Sequence, residues 1–372
     1  MKLILIAPIC NDPNHPWFSP GRKAKLNQLF KTFDLLQLHH KLINTCPQTD
    51  KKDINRECCI ERISSKNKLF RYINIALFFV RFIGKGDEFK TDFIWAYNSR
   101  FCELAIALQV KILNPKAKLV IQIEDVNGAR RENSSLLNLI LDNTFCFIAK
   151  RLAFRVFYAS QNMRLTETSE NRIKSKTNIL PPALNDQFID ATSKNPIRFQ
   201  GREINILYAG GYGYDKGVDI LIQAINEIPN AHLTLAGSCP SEVKNRCKNK
   251  NINITGLVSY RELYELYANT DVVVNPHRLI RNTCGIFPFK TIEHIASRAL
   301  PISSNLPSLS EISFPPYLIF RNSQELVELI KNSKKIYQHN FEEIRELQER
   351  IINSYRLEKI SVMVAKSLNI AH

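Results

Sequence analysis

Along the chain, short continuous apolar runs alternate with longer segments whose apolar positions recur at helical spacing. Residues 3–8 form an opening apolar run that predicts a buried strand, and residues 21–33 (GRKAKLNQLFKTF) carry the period of a helix. The runs 93–96, 119–123 and 155–159 predict further strands, with helices expected over 100–112 and 136–150. Residues 66–90 predict another helix. On it Phe70, Tyr72, Phe78, Phe79 and Phe82 are flanked by Lys66, Lys68, Arg71, Arg81, Lys85 and Lys90.

The stretch 181–203 breaks this rhythm. It holds Pro181, Pro182 and Pro196 and little periodicity, as a connector does. A second series follows, with strands over 204–209, 232–236, 271–275 and 301–303 and helices over 217–227, 260–268, 290–297 and 323–332. Residues 341–368 keep a helical period, with a break near Ser354. Such alternation is the pattern of an α/β protein with parallel sheets. The expected plan is a Rossmann-like domain at 1–183, a linker at 184–203, a second Rossmann-like domain at 204–345, and a long C-terminal helix at 346–372 packing back on the first domain. Two such domains facing each other leave a cleft at the carboxyl ends of their strands, where open α/β sheets bind ligands.

Length and charge sharpen this plan. At 372 residues the chain exceeds the roughly 250–300 that one core fills, and 44% hydrophobic content supplies two. Net charge is +16 and unevenly spread: residues 1–200 hold 31 Lys and Arg against 18 Asp and Glu, and residues 201–372 hold 20 against 17. A basic excess in one half suggests an anionic partner for that half, either nucleic acid or lipid headgroups. A recognition helix or aromatic–basic nucleic-acid motif is not found, which favours lipid over nucleic acid. The opening apolar run is too short for a signal peptide, and no window reaches the ~18–20 apolar residues of a membrane span. Contact with a membrane is therefore expected to be peripheral, on the cytoplasmic face. The nine cysteines lack zinc-binding spacing and read as reduced thiols.

Two stretches carry candidate chemistry. In residues 204–219 a strand runs into Gly210-Gly211-Tyr212-Gly213-Tyr214-Asp215-Lys216-Gly217 and then a helix. Glycines let backbone approach a phosphate, a helix start offers free N–H groups, and Lys216 adds a full positive charge. A plain turn with a surface lysine has the same local pattern. In residues 285–302, Phe287-Pro288-Phe289-Lys290 leads into a helix with Glu293 one turn in. The N–H groups of Phe289 and Lys290 are positioned to hold a phosphate, and Glu293 to accept from ribose hydroxyls; the plainer reading is a first-turn Glu complementing the helix dipole. Histidine, cysteine and carboxylate residues nowhere take metal-ligand spacing, so neither metal nor other cofactor is expected.

Taken together, these stretches resemble the donor domain of glycosyltransferase family four. Residues 209–218 resemble its Gly-Arg-(four residues)-Lys-Gly element, Leu235-Ala236-Gly237 its strand end, and Thr255-Gly256-Leu257-Val258 with Glu262 its base-binding turn and helix. Residues 271–276 resemble its next strand, Phe287 to Glu293 its Phe-Pro-x-Lys-x-x-Glu variant, and Pro301-Ile302 its Pro-Val. The match runs in order over residues 204–311. The first half matches only in rhythm, with Trp95-Ala96-Tyr97-Asn98 and Pro181-Pro182-Ala183 as local echoes. The resemblance implies the GT-B fold and a retaining, metal-independent transfer of a hexosyl or N-acetylhexosaminyl group from a nucleotide-sugar, UDP-sugar favoured, in surface polysaccharide synthesis. It further implies that Lys216 binds the donor diphosphate and Glu293 the ribose, with Gly210, Gly211, Gly237, Leu257, Val258, Phe289 and Lys290 lining the donor site.

Two departures stand out. The family's arginine falls at Gly211, and the first of its two glutamates falls at Gly285. Arg278 and Arg281, on a neighbouring loop, are candidates to replace the missing charge. In the first half, Gly21 and Arg22 are candidate acceptor-binding residues, and Glu124 and Asp125, at a strand end, candidates to orient or deprotonate an acceptor hydroxyl. The acceptor is expected to be a glycan or a lipid-linked sugar. Competing readings are another enzyme of the same fold, an epimerase or a phosphorylase, and a degenerate non-catalytic paralogue.

Overall fold

A computed structural model describes residues 1–10, 20–46, 59–62, 68–82, 89–124, 136–167, 171–193, 198–247, 250–280 and 289–370. The chain divides into two compact units, one of residues 1–183 with 357–372 and the other of residues 184–356.

The first unit holds strands β1 (Lys2–Ala7), β2 (His39–Asn44), β3 (Cys59–Arg62), β4 (Phe93–Tyr97), β5 (Lys118–Ile123), β6 (Arg155–Tyr158) and β7 (Thr177–Ile179). They form one sheet in the order β3-β2-β1-β4-β5-β6-β7, parallel throughout. Both faces of β1 are covered: Ile4 and Ile6 enter one apolar cluster and Leu3, Leu5 and Ala7 another. That two-sided burial is why the strand reads as an unbroken apolar run rather than an alternating one. Helices α2 (Lys68–Phe82), α3 (Phe101–Leu113) and α4 (Leu136–Leu152) contribute to the first cluster, and α1 (Pro20–Leu35) to the second. Trp95 anchors the second cluster, stacked on Phe157 at 5.3 Å and meeting the edge of Phe33 at 5.2 Å. Its indole N–H donates to Gln122 Oε1 at 2.9 Å, so the buried polar group is satisfied. Short helices α5 (Gln161–Glu167) and α6 (Asn171–Lys174) precede β7.

The second unit begins with α7 (Asp186–Ser193). Residues 184–203, expected as a linker, are thus partly helical. Phe188 and Ile189 are buried in this unit's core, with the Phe188 ring 5.3 Å from both Tyr264 and Tyr267. A second parallel sheet follows, built from β8 (Ile204–Ala209), β9 (Ala231–Ala236), β10 (Ile252–Gly256), β11 (Val272–Asn275), β12 (Leu300–Ser304) and β13 (Ile319–Phe320), in the order β10-β9-β8-β11-β12-β13. The helices are α8 (Val218–Asn226), α9 (Ser241–Arg246), α10 (Tyr260–Ala268), α11 (Phe289–Ala296), α12 (Ser323–Lys331), α13 (Ser333–His339) and α14 (Phe341–Ser354).

The long terminal helix is two helices. In α14, Ile344, Leu347, Ile351 and Ile352 are buried in the second unit. The helix stops at Tyr355, whose carbonyl accepts from the Leu184 N–H at 2.7 Å. The next helix, α15 (Leu357–Leu368), buries Leu357, Ile360, Val364 and Leu368 in the first unit against α1. The break near Ser354 therefore falls where the chain changes core. Among the described residues no helix is long and apolar enough to cross a membrane.

Candidate donor site at the carboxyl edge of the second sheet

In the second sheet β8 is flanked by β9 on one side and β11 on the other, so the strand order reverses there. Ligands of open α/β sheets bind at such a reversal, outside the carboxyl ends of the strands. The segments leaving those ends are laced together: Gly210 N–H donates to Ala236 O at 3.0 Å, Gly237 N–H to Gly256 O at 2.8 Å, and Arg278 N–H to Asp215 O at 2.9 Å.

Two glycines are required by this closeness. A Cβ on Gly217, which has φ of +63°, would lie 1.9 Å from the Pro276 carbonyl oxygen. A Cβ on Gly237, at φ of +143°, would lie 2.2 Å from that of Gly210. No L side chain fits either place. A Cβ on Gly211, by contrast, meets nothing within 4 Å.

Lys216 ends a short 3₁₀ turn (Tyr214–Lys216) directly before α8. Its ammonium lies 2.9 Å from Asp215 Oδ2 and 3.2 Å from His277 Nε2. His277 Nδ1 in turn hydrogen-bonds Asn275 Oδ1 at the end of β11. Asn275 Nδ2 donates to Ser303 Oγ at 3.0 Å and to Thr291 Oγ1, in the first turn of α11, at 3.3 Å. A path of side-chain hydrogen bonds thus joins the glycine-rich turn to the helix that carries Lys290 and Glu293. Lys290 Nζ donates to Glu293 Oε2 at 2.6 Å, and Phe289 opens the helix.

Glu293 also faces the segment after β10. Tyr260 opens α10, and its phenol is pushed up by burial and then by the charge of Glu293. That helix starts where it does because Ser259 and Glu262 form a reciprocal cap: Ser259 Oγ accepts from Glu262 N–H at 3.3 Å and Glu262 Oε2 from Ser259 N–H at 2.7 Å. Leu257, just before it, is exposed, and Val258 is partly buried. The structure thereby brings Gly210, Gly211, Lys216, Gly237, Lys290 and Glu293 to one sheet edge, with Leu257 and Val258 at its β10 end.

Arg278 has another commitment. Its guanidinium makes two bonds to the Asp219 carboxylate, at 2.8 and 2.5 Å, donates to Tyr214 O at 2.6 Å, and stacks 4.1 Å from the Tyr214 ring. This bidentate pair holds the Asp219 carboxyl below its usual range and braces the glycine-rich turn. Arg281 and Gly285 lie outside the described residues.

In the first unit, Gly21 is exposed and Arg22 half-buried in the first turn of α1. Burial, then the neighbouring Arg100, lowers the pKa of the Arg22 guanidinium. Glu124 is paired with Lys25 and accepts from Gln122 Nε2 at 2.5 Å, so its carboxylate is already engaged. Asp125 lies outside the described residues. Sequence reasoning passed over Glu103, a buried carboxyl that accepts from Thr45 Oγ1 at 2.5 Å and whose pKa burial raises. It also passed over Asn275, His277 and Tyr260, whose roles follow from contacts distant in sequence.

This architecture defines the GT-B fold, as solved structures show. The sucrose-phosphate synthase of Thermosynechococcus elongatus superposes with a TM-score of 0.74 at 16% identity, covering 98% of each chain. HepE of Anabaena, solved in complex with UDP-glucose, gives 0.71 at 15%, covering 99% of each. A glycosyltransferase of Rickettsia africae ESF-5 gives 0.70 at 17%, covering 99% of this chain and 97% of that one. Within the fold, residues 203–332 match the family model described as Glycosyl transferases group 1. No curated protein matches the chain significantly by sequence.

Proposed function

We infer that the protein is a retaining glycosyltransferase that moves a hexosyl or N-acetylhexosaminyl group from a nucleotide-sugar to a glycan or lipid-linked acceptor in surface polysaccharide synthesis. One observation carries this reading: Lys216 and the start of α11 are joined by hydrogen bonds at the carboxyl edge of one parallel sheet, where its strand order reverses. A cation, a glycine-shaped turn and a helix N-terminus at one edge suit a diphosphate. The family match over residues 203–332 and the neighbours' GT-B fold support the same reading.

In this reading the base rests on Leu257, Val258 and the Tyr260 ring, and Glu293 accepts from the ribose hydroxyls. Lys216 and the N–H groups of Phe289 and Lys290 face the diphosphate. As the sugar–phosphate bond breaks, negative charge grows on the leaving diphosphate and positive charge on the sugar. Donors already held in place lower that barrier by several kcal/mol. UDP is the favoured nucleotide, in keeping with the HepE complex. The chemistry proposed draws its positive charge from the protein and calls on no metal.

The acceptor side is assigned to the first unit, with Gly21 and Arg22 as contacts. Peripheral docking on an anionic bilayer, at the cytoplasmic face, is proposed for the same unit. What supports it is the outward side of two helices. In α2, Phe70, Ile73, Leu77 and Val80 are exposed, and in α4, Leu136, Leu137, Ile140, Phe147, Ile148 and Leu152 are exposed. The α2 sequence holds Lys68, Arg71 and Arg81 and no acidic residue. Exposed apolar stripes, on α2 within a basic sequence, suit a lipid interface.

The test is a thermal-shift panel of UDP-, GDP- and ADP-sugars on the full chain. A ligand that binds only the folded state raises the melting temperature, so UDP-sugars are expected to give the largest rise. If no nucleotide-sugar moves it, the proposal fails.

A further inference from the structure

In the donor reading His277 only links Lys216 to α11, yet the structure builds a frame around it. Its carbonyl accepts from Ser304 Oγ at 2.5 Å, and the Pro276 carbonyl before it lies against Gly217. Its ring stands between Lys216 and Asn275.

The protonation pattern follows from the partners. Asn275 commits its amide nitrogen to Thr291 and Ser303, which leaves only its carbonyl oxygen for the imidazole. An oxygen acceptor requires the proton on His277 Nδ1, so Nε2 presents a lone pair to the Lys216 ammonium. Burial, and then the Lys216 charge, lowers the His277 pKa to about 3, so the ring stays neutral at working pH. Lysine has three donors and no acceptor. Among the described residues, Asp215 and His277 engage Lys216 from two directions.

The geometry points to His277 as a positioning residue: a neutral acceptor, locked in one tautomer by Asn275, that with Asp215 takes two of the Lys216 donors and aims the third at a diphosphate. It acts only through Lys216, and the inference rests on Lys216 being the diphosphate's cation. An ammonium on a flexible four-carbon stem gains most from such a frame, because small displacements of a charged group cost large factors in function.

The experiment measures binding by calorimetry of UDP against UMP, and of ADP against AMP, to the full chain. The preference for diphosphate over monophosphate, on whichever base binds, reads the Lys216 contribution without knowledge of the sugar. The expected pattern is that Lys216→Ala abolishes the preference and His277→Ala lowers it about tenfold with little change in monophosphate affinity. Adding His277→Ala to Lys216→Ala should then change nothing further, as for residues acting as one unit. His277→Gln, which keeps an acceptor for Lys216 and a donor for Asn275, should hold the preference within about threefold, and it guards against a folding defect in the alanine variant. The inference is overturned if His277→Ala leaves the preference intact, if it costs as much with Lys216 absent, or if it weakens monophosphate binding equally. If instead Lys216→Ala preserves the preference, the donor-site reading itself fails and this inference with it.

Discussion

The two units use the same parallel βα repeat but differ in the feature that stands out in each. In the second, polar side chains gather at the carboxyl edge of the sheet and bond to one another: Lys216, His277, Asn275, Thr291 and Ser303 form one connected set. In the first, the unusual feature is apolar. Helices α2 and α4 present leucine, isoleucine and phenylalanine to the outside. One unit therefore joins polar groups at its candidate site, and the other leaves apolar groups exposed. Burying a connected polar set is favourable only when every member is partnered, whereas uncovered apolar surface is favourable only when something covers it.

Several substitutions would break or sharpen that contrast. The largest effect is expected at Lys216. Lys216→Ala should lower nucleotide-sugar turnover by about 10²–10³-fold, the usual cost of one preorganised donor. Unchanged turnover would remove the chemical half of the comparison. Next comes the turn that shapes the site. Gly217→Ala places a methyl group against the Pro276 carbonyl at positive φ and should cost about 3 kcal/mol of unfolding free energy by urea titration.

On the apolar side, Ile140→Asp with Phe147→Asp should cut sedimentation with vesicles containing phosphatidylglycerol by about tenfold or more while leaving the melting temperature nearly unchanged. Both side chains are exposed, and surface changes seldom exceed about 0.5 kcal/mol. Equal sedimentation of the double variant and the parent would argue against lipid as the cover.

Taken over one pH unit, a smaller effect is expected from His294. It is buried in α11 with neither ring nitrogen hydrogen-bonded among the described residues, and burial, then Lys290 and His277, lowers its pKa to about 3. The unfolded ring takes a proton below about 6.5 and the folded ring does not. Stability should thus fall as pH drops from about 6.5 towards 3, by about 1.4 kcal/mol per pH unit. His294→Phe should lessen the slope of that part of the urea-measured pH profile, leaving the share of His277, and an unchanged slope would rule His294 out. The smallest change concerns the brace. Arg278→Ala should cost about 1 kcal/mol, given its partly exposed partner Asp219.

Much of this plan was legible in the chain. Strands such as β1, β5 and β8 read clearly because burial on both faces makes them mostly apolar, β5 interrupted only by Gln122 and β8 by Asn205 after their first residues. The glycine-rich turn was legible because a βα turn that must approach other backbone leaves few residue choices. Strand β2 (HHKLIN) was missed because four of its six positions are polar or charged, and α7 because prolines on either side mark a connector. The division of residues 341–368 between two cores was visible only as a weak point in the period near Ser354.

By itself, then, the sequence determined the alternation of strands and helices, the glycines of the turn, and the two charged stretches at 216 and 290–293. Tertiary structure alone decided that His277 stands between Lys216 and Asn275, that Arg278 pairs with Asp219, and which side of α4 faces outward. The physical reason is range. Apolar period and turn chemistry are local properties of neighbouring residues, whereas the Lys216–His277 and Asn275–Ser303 bonds join positions 61 and 28 residues apart. A helical period, moreover, is the same whether its apolar stripe points in or out, and only the packing of α4 on the sheet fixes which residues are left in the open.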